Sequence, residues 1–143
     1  MRISYYTDGV EMPDINQPII NKWIEAIADY YGKKCGEIAY IFCNDPKIIE
    51  VNRQYLQHDY YTDIITFDYT HDSRISGDLF ISLDTVESNS VEQNTTYESE
   101  LHRVIIHGIL HLCGINDKGP GEREQMEAAE NHALSILNEL RNN

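Results

Sequence analysis

Two histidines, His107 and His111, stand four residues apart and are placed to share a metal ion. On a helix this spacing is about one turn, with roughly 40° of rotation and about 6 Å of rise, so both imidazoles leave the same face. Gly114 predicts the end of that helix, because glycine tolerates the left-handed conformation that often terminates one. Asp117 follows after a turn and can return a carboxylate oxygen, with Asn116 as the competing ligand. The pattern predicts a divalent ion held by His107, His111 and Asp117.

The chemistry of such a site is the activation of water. Two nitrogens and one oxygen leave the fourth position of a tetrahedral ion open, which is typical of catalytic rather than structural zinc. An ion in that arrangement lowers the pKa of its water towards about 7, so that the oxygen can attack phosphorus or a carbonyl carbon.

The alternative interpretation of the pair is structural. Histidines with this spacing also occur on ordinary helices, where one ring can be a buried polar group with a partner inside the protein. The neighbours Val104, Ile105 and Ile109 make the segment apolar nearly all round, so the helix should be buried. A buried imidazole needs a partner, and two on one face favour a shared ion.

The segments that must position this helix predict an α+β fold. Strands are expected at 2–6, 37–43, 64–69 and 78–83, and helices at 18–31, 46–57, 98–114 and from 120 onwards, with a short helical connection at 84–94. The order βαβαββαα predicts helices packed against a small mixed sheet of about four strands. We expect a single domain spanning residues 1–143.

Apolar residues at helical spacing predict the inner face of each helix. The second helix is expected to begin at Asn44-Asp45-Pro46, a cap followed by proline, and to run to about Gln57. The expected inner faces comprise Ile19, Ile20, Trp23, Ile24, Ile27 and Ala28 in the first helix, Ile48, Val51, Tyr55 and Leu56 in the second, and Met126, Ala129, Ala133, Ile136, Leu137 and Leu140 in the last.

The composition limits the possible functions. The net charge is -13 at pH 7, which argues against broad nucleic-acid binding, because that relies on cations that neutralise phosphates. A local groove or a basic protein partner remains compatible with this charge. No run approaches the ~20 apolar residues of a membrane span, and the first residues resemble no signal peptide. Three cysteines without a Cys-x-x-Cys spacing are typical of reduced thiols, so a cytoplasmic protein is expected.

Three blocks of sequence, in matching order, resemble the YbeY family of bacterial ribosomal-RNA maturation factors. Residues 107–114 fit His-Gly-x-Leu-His-Leu-x-Gly, residues 62–67 resemble Thr-Asp-Val-Leu-Ser-Phe after a helix containing Asn52 and Tyr55, and residues 77–82 resemble Gly-Asp-Ile-x-Ile-Ser. The third ligand of the family is usually a histidine six residues after the second. Asp117 stands there in this chain, and a carboxylate can replace imidazole as a ligand.

The resemblance implies a metal-dependent endoribonuclease that cleaves single strands during ribosomal-RNA maturation and ribosome quality control. It implies one zinc per chain, and the oxygen ligand widens the choice to other divalent metals. The implied partners are ribosomal RNA and the small ribosomal subunit, with basic ribosomal proteins as further candidates and no membrane.

The resemblance also suggests residues that bind or cleave the substrate. The family usually has an arginine where this chain has Leu56, and an arginine fork beside the metal would clamp phosphate oxygens. Arg53, one turn earlier, and His58 are the candidates to replace it in catalysis, although both also fit an exposed surface. Asp63 and Thr66 are candidates for substrate binding, whereas the competing interpretation is that they only terminate a loop and build a strand.

Two further functions stay open on the sequence. A metallopeptidase shares His-x-x-x-His, but it places a glutamate general base directly after the first histidine, where this chain has Gly108. A non-catalytic ribosome-assembly factor, with a metal that mainly stabilises the fold, is favoured by the acidic charge and by Leu56. The open coordination position argues against it.

Overall fold

The computed structural model describes residues 2–56 and 62–142, which form four strands and five helices. The elements are β1 (Arg2–Thr7), α1 (Gln17–Tyr30), β2 (Lys34–Cys43), α2 (Asp45–Leu56), β3 (Ile64–Asp68), β4 (Arg74–Ser82), α3 (Leu83–Glu92), α4 (Tyr97–Leu112) and α5 (Glu122–Arg141). The predicted α+β class and element order are confirmed. The connection at 84–94 forms a helix of its own, α3, so three helices follow the last strand.

The strands form one mixed sheet in the order β1-β2-β4-β3, in which β3 is antiparallel to β4 and the other neighbours are parallel. Strand β4 begins at Arg74, four residues before the predicted start. The reason is pairing rather than hydropathy, because Arg74 and Ile75 lie opposite Lys34 and Cys35 of β2. The same pairing explains why β2 begins at Lys34, earlier than the predicted start at residue 37.

Helix α4 is buried against the sheet and carries the predicted metal ligands. Tyr40 of β2 donates its hydroxyl to the carbonyl oxygen of Ile105 at 2.8 Å. At Gly108 the backbone of α4 lies close to the side chains of the sheet. A Cβ atom there would collide with the side chain of Leu79 in β4 and would meet Ile64 of β3 at 3.0 Å. The glycine therefore lets the helix lie directly on the strands, and a side chain at position 108 would point into the sheet.

The predicted inner face of α2 is partly wrong. Ile48 and Val51 are buried as expected, but Tyr55 is 60% exposed and Leu56 is 43% exposed, while the polar Asn52 is buried. The last turn of α2 extends beyond the small cluster that Ile48 and Val51 form with Cys43 and Ile65. There the ring of Tyr55 meets Phe67 edge-on at 5.6 Å between centroids. Helical periodicity gives the direction of a face but not the point at which the surface beneath it ends.

The predicted stripes of α1 and α5 face the core. Ile20, Trp23, Ile24, Ile27 and Ala28 of α1 are buried, as are Met126, Ala133 and Leu137 of α5. The indole of Trp23 donates to the carbonyl oxygen of Ala133 at 2.7 Å, which ties the two helices together. Among the helices of residues 2–56 and 62–142, none has the length and hydropathy that crossing a membrane requires.

Candidate metal centre

The side chains of His107, His111 and Asp117 converge at the end of α4. Oδ2 of Asp117 lies 3.3 Å from Nε2 of His107 and 3.5 Å from Nε2 of His111. The donor atoms of all three residues fall within 4.8 Å of one another. Zinc with tetrahedral ligands at about 2.0–2.1 Å separates its ligand atoms by roughly 3.4 Å. The three donors therefore stand close to the spacing that one ion requires.

The turn after α4 fixes the position of Asp117. The helix ends with Cys113 as its cap, and Gly114 takes the left-handed conformation at φ +100°. The amide of Gly114 donates to the carbonyl oxygen of His111 at 2.9 Å, and the amide of Ile115 donates to that of Leu110 at 3.0 Å. This pair of bonds is the Schellman ending of a helix. It reverses the chain over the histidine face, so the predicted return of Asp117 has a local cause.

The second carboxylate oxygen of Asp117 tests whether an ion fits this site. Oδ1 is buried and has no hydrogen-bond partner among the described residues. A buried oxygen without a partner is costly, because it has lost its water without replacement. A cation beside the carboxylate would supply the missing interaction. The donor set therefore fits a divalent metal. Asn116, the competing ligand, has an exposed side chain and so has no buried oxygen that needs a cation.

Glu130 of α5 contacts the metal ligands and was missed from the sequence. Its Oε2 lies 2.7 Å from Nδ1 of His107, and its Oε1 accepts from Nη1 of Arg103 at 2.8 Å. The side chain is only 10% exposed. Glu130 stands in the apolar stripe between Met126 and Ala133, and an acid in such a stripe is the signal that could have found it.

The two histidines have pKa values shifted in opposite directions. Burial lowers the pKa of His107, but the hydrogen bond and charge of Glu130, with the charges of Asp63 and Asp117, outweigh it and raise that pKa. Burial and the neighbouring charge of His107 lower the pKa of His111. Burial also raises the pKa of the Asp63 carboxyl. The acids thus create a negative environment that suits a cation.

The site opens into a cleft of about 1020 Å³, which is lined by α4, α5, the end of α2 and residues 62–68, and also by the end of α3. We call α4, the turn to Asp117 and α5 the helix wall, and the end of α2 with residues 62–68 the strand wall. Asp63, Thr66 and Leu56 lie on the strand wall, so the structure brings both predicted substrate residues to the cleft. Arg53 is exposed on α2 and is not among the described residues of the cleft. His58 lies outside the described residues.

Comparisons with known proteins agree with this architecture. The family model described as Endoribonuclease YbeY matches residues 3–138. Endoribonuclease YbeY of Bacteroides fragilis is 70% identical over 136 residues, which cover 95% of this chain and 98% of the relative. The protein of that name from Phocaeicola vulgatus is 71% identical over 135 residues, covering 94% and 98%.

A solved structure supports the fold independently. The solution structure of TM1509 from Thermotoga maritima matches with a TM-score of 0.64 at 24% identity, covering 96% of this chain and 93% of that chain. At that identity the likeness concerns the fold alone. The family model and the two relatives span nearly the whole sequence, and the chain therefore belongs to the YbeY family of endoribonucleases.

Proposed function

We propose that His107, His111 and Asp117 hold the catalytic ion of an endoribonuclease that acts in the maturation and quality control of ribosomal RNA. The endoribonuclease activity follows from membership of the family. The observation that supports the ligand set is the convergence of three donor atoms beside a partnerless buried oxygen. Zinc, one ion per chain, suits two imidazoles and a carboxylate, and the carboxylate admits other divalent metals.

Each wall of the cleft has a part in the reaction. When bound, the ion supplies Lewis-acid chemistry, which activates water and offsets negative charge on a phosphoryl oxygen. Two neutral imidazoles and one carboxylate leave a divalent site with a net charge of about +1, against about +2 with three histidines. On the strand wall, Asp63 and Thr66 offer hydrogen-bonding groups to the ribose 2′-hydroxyl, the group by which proteins distinguish RNA from DNA.

The charge of the cleft points to few phosphate contacts. Among its described lining residues, Arg103, Lys118 and Arg123 are outnumbered by aspartates and glutamates. RNA binding should therefore depend on the metal and on a small number of cations, with a shallow dependence on salt. Arg53 and His58 stay predictions for the role of the arginine that Leu56 replaces.

The proposed setting is the cytoplasm, with ribosomal RNA and the small ribosomal subunit as partners. A chain of net charge -13 repels bare phosphates but attracts cationic surfaces. Basic ribosomal proteins are therefore suited to bring the enzyme to its substrate without a broad basic surface on the enzyme itself.

The test of this function is metal-dependent cleavage of single-stranded ribosomal RNA. We expect His111→Ala to abolish cleavage, because the ion loses one of three ligands. His71→Ala is the matched control, since that side chain is 91% exposed and lies outside the cleft. The protein must be free of contaminating ribonuclease. Equal rates for the wild type and His111→Ala would show that the activity does not come from this site.

A non-catalytic assembly factor is the second candidate, favoured by the acidic lining of the cleft and by Leu56. It would be supported if neither protein cuts RNA while the wild type still binds small-subunit particles.

The fold gives no support to the metallopeptidase alternative. Position 108, where such enzymes carry the general base, faces Leu79 and Ile64 of the sheet.

A further inference from the structure

The contact between α4 and α5 contains a chain of hydrogen-bonded polar side chains next to His107, and the buried Glu130 stands at its centre. Glu130 Oε2 lies 2.7 Å from Nδ1 of His107, and Glu130 Oε1 accepts from Arg103 at 2.8 Å. Arg103 also donates to Oδ1 of Asn131 at 2.8 Å. Arg103 and His107 are one turn apart on α4, so a single carboxylate joins two consecutive turns of the ligand helix to α5.

We propose that Glu130 is a positioning residue for the metal ion, acting through His107 and held in place by Arg103. A carboxylate accepts hydrogen bonds, so the proton of the neutral His107 ring stands on Nδ1 and the lone pair on Nε2. Nε2 is the atom that faces Asp117. A partner of this kind fixes the tautomer and ring orientation of a metal-binding histidine and increases its basicity. The inference rests on the proposed metal site.

Packing alone gives a poor reason for an acid at this place. Glu130 lies between Met126 and Ala133 on the apolar face of α5 and is nine-tenths buried. A buried ion pair is often no more stabilising than apolar side chains of similar volume, because both charges lose their water. Leucine at position 130 would continue the stripe, so the carboxylate needs another role, and the imidazole at 2.7 Å supplies one.

Arg103 restricts the position of the Glu130 carboxylate. Both oxygens of Glu130 are engaged, one by Arg103 and one by His107. Arg103 also donates to Asn131, and the carboxylate lies on the Nδ1 side of the His107 ring, away from the Nε2 atom that faces Asp117. The acid is therefore placed to strengthen His107 as a ligand rather than to serve as a ligand itself.

The experiment compares zinc binding and cobalt spectra in Glu130→Gln, Glu130→Leu and Arg103→Met. Zinc affinity is measured by competition with a chromogenic chelator, and Co(II) is bound to each variant to record its visible absorption. Glutamine keeps an acceptor for Nδ1 without the charge, whereas leucine removes both. Glu139→Gln is the matched control, since it removes one exposed acid from the same helix. The thermal midpoint of each apo-protein measures stability separately.

We expect Glu130→Gln to weaken zinc binding about tenfold and Glu130→Leu about a hundredfold. The zinc affinity of Arg103→Met should lie between those of the wild type and Glu130→Leu. The cobalt absorption of Glu130→Gln, Glu130→Leu and Arg103→Met should differ from that of the wild type and of Glu139→Gln. Zinc affinity within about twofold of the wild type in Glu130→Leu, with an unchanged cobalt spectrum, would overturn the proposal even if its thermal midpoint fell.

The variants also separate this inference from the metal site on which it rests. If Glu130→Leu does not fold, Glu130→Gln decides, and wild-type affinity and spectrum in that variant count against a positioning role. A wild-type protein that binds neither zinc nor cobalt rejects the proposed metal site as well. A wild type that binds both ions, beside Glu130 variants that bind them equally well, rejects only the role of Glu130.

Discussion

The helix wall and the strand wall of the cleft differ in how their residues are supported by neighbouring elements. On the helix wall, His107 is engaged from behind by Glu130, and Asp117 is placed by the helix ending at Gly114. On the strand wall, β3 is an edge strand that pairs on one side with β4, and the neighbouring Leu56 is 43% exposed. Under the proposed function, this difference predicts that metal binding, assigned to the helix wall, and substrate binding, assigned to the strand wall, can be altered separately.

The strongest way to break this comparison is to remove a ligand from the helix wall. We expect Asp117→Ala to reduce zinc affinity by at least about a hundredfold, because two imidazoles alone leave the ion with too few protein ligands. Elemental analysis after dialysis measures the bound metal. Asn116→Ala is the control, and full occupancy in Asp117→Ala with loss in Asn116→Ala would assign the third ligand to Asn116 instead.

A second change should increase zinc binding by the helix wall without altering the residues of the strand wall. Asp117→His replaces the carboxylate with imidazole, a better ligand for a borderline-soft ion, and should raise zinc affinity on the order of tenfold. A competition titration, read together with the thermal midpoint of the apo-protein, measures the effect. Weaker zinc binding in a correctly folded variant would contradict this account of the site.

The smallest effects are expected from the strand wall. Asp63→Asn and Thr66→Val should each weaken about one proposed hydrogen bond to the substrate, worth ~1 kcal/mol or roughly fivefold in cleavage rate. Thr66→Val should leave zinc affinity unchanged, whereas Asp63→Asn should lower it slightly, because it removes one of the negative charges that act on His107. Cleavage kinetics and metal titration on the same preparations measure the two quantities. A loss of metal binding in Thr66→Val, which changes no charge, would show that the two walls are not independent.

The sequence predicts the helix wall better than the strand wall because the first is encoded locally. The spacing of His107 and His111, the glycine stop and the returning Asp117 occupy eleven consecutive residues, 107–117. Glu130 belongs to another helix, and the register of α5 against α4 is a tertiary property that spacing does not reveal. An acid within an apolar stripe was the available signal.

The strand wall shows the complementary difficulty. Periodicity placed Tyr55 and Leu56 on the inner face of α2, but the cluster beneath that helix ends one turn earlier. The early start of β4 likewise depends on its partner strand, because Arg74 and Ile75 are held by pairing with β2. Where the structure of a segment depends on packing or pairing with another element, the hydropathy pattern of the segment alone does not predict it.

The closeness of the three ligands along the chain has a consequence for the way metal binding couples to folding. Closing a loop of so few residues costs little entropy, and helix α4 is buried in the main core through Ile105, Ile109 and Leu110. Loss of the ion should therefore loosen the turn at residues 116–117, beyond the Schellman ending, while the sheet and the helices persist. Hydrogen exchange of the metal-free protein should rise in that turn first, as expected for an ion that serves chemistry rather than global stability.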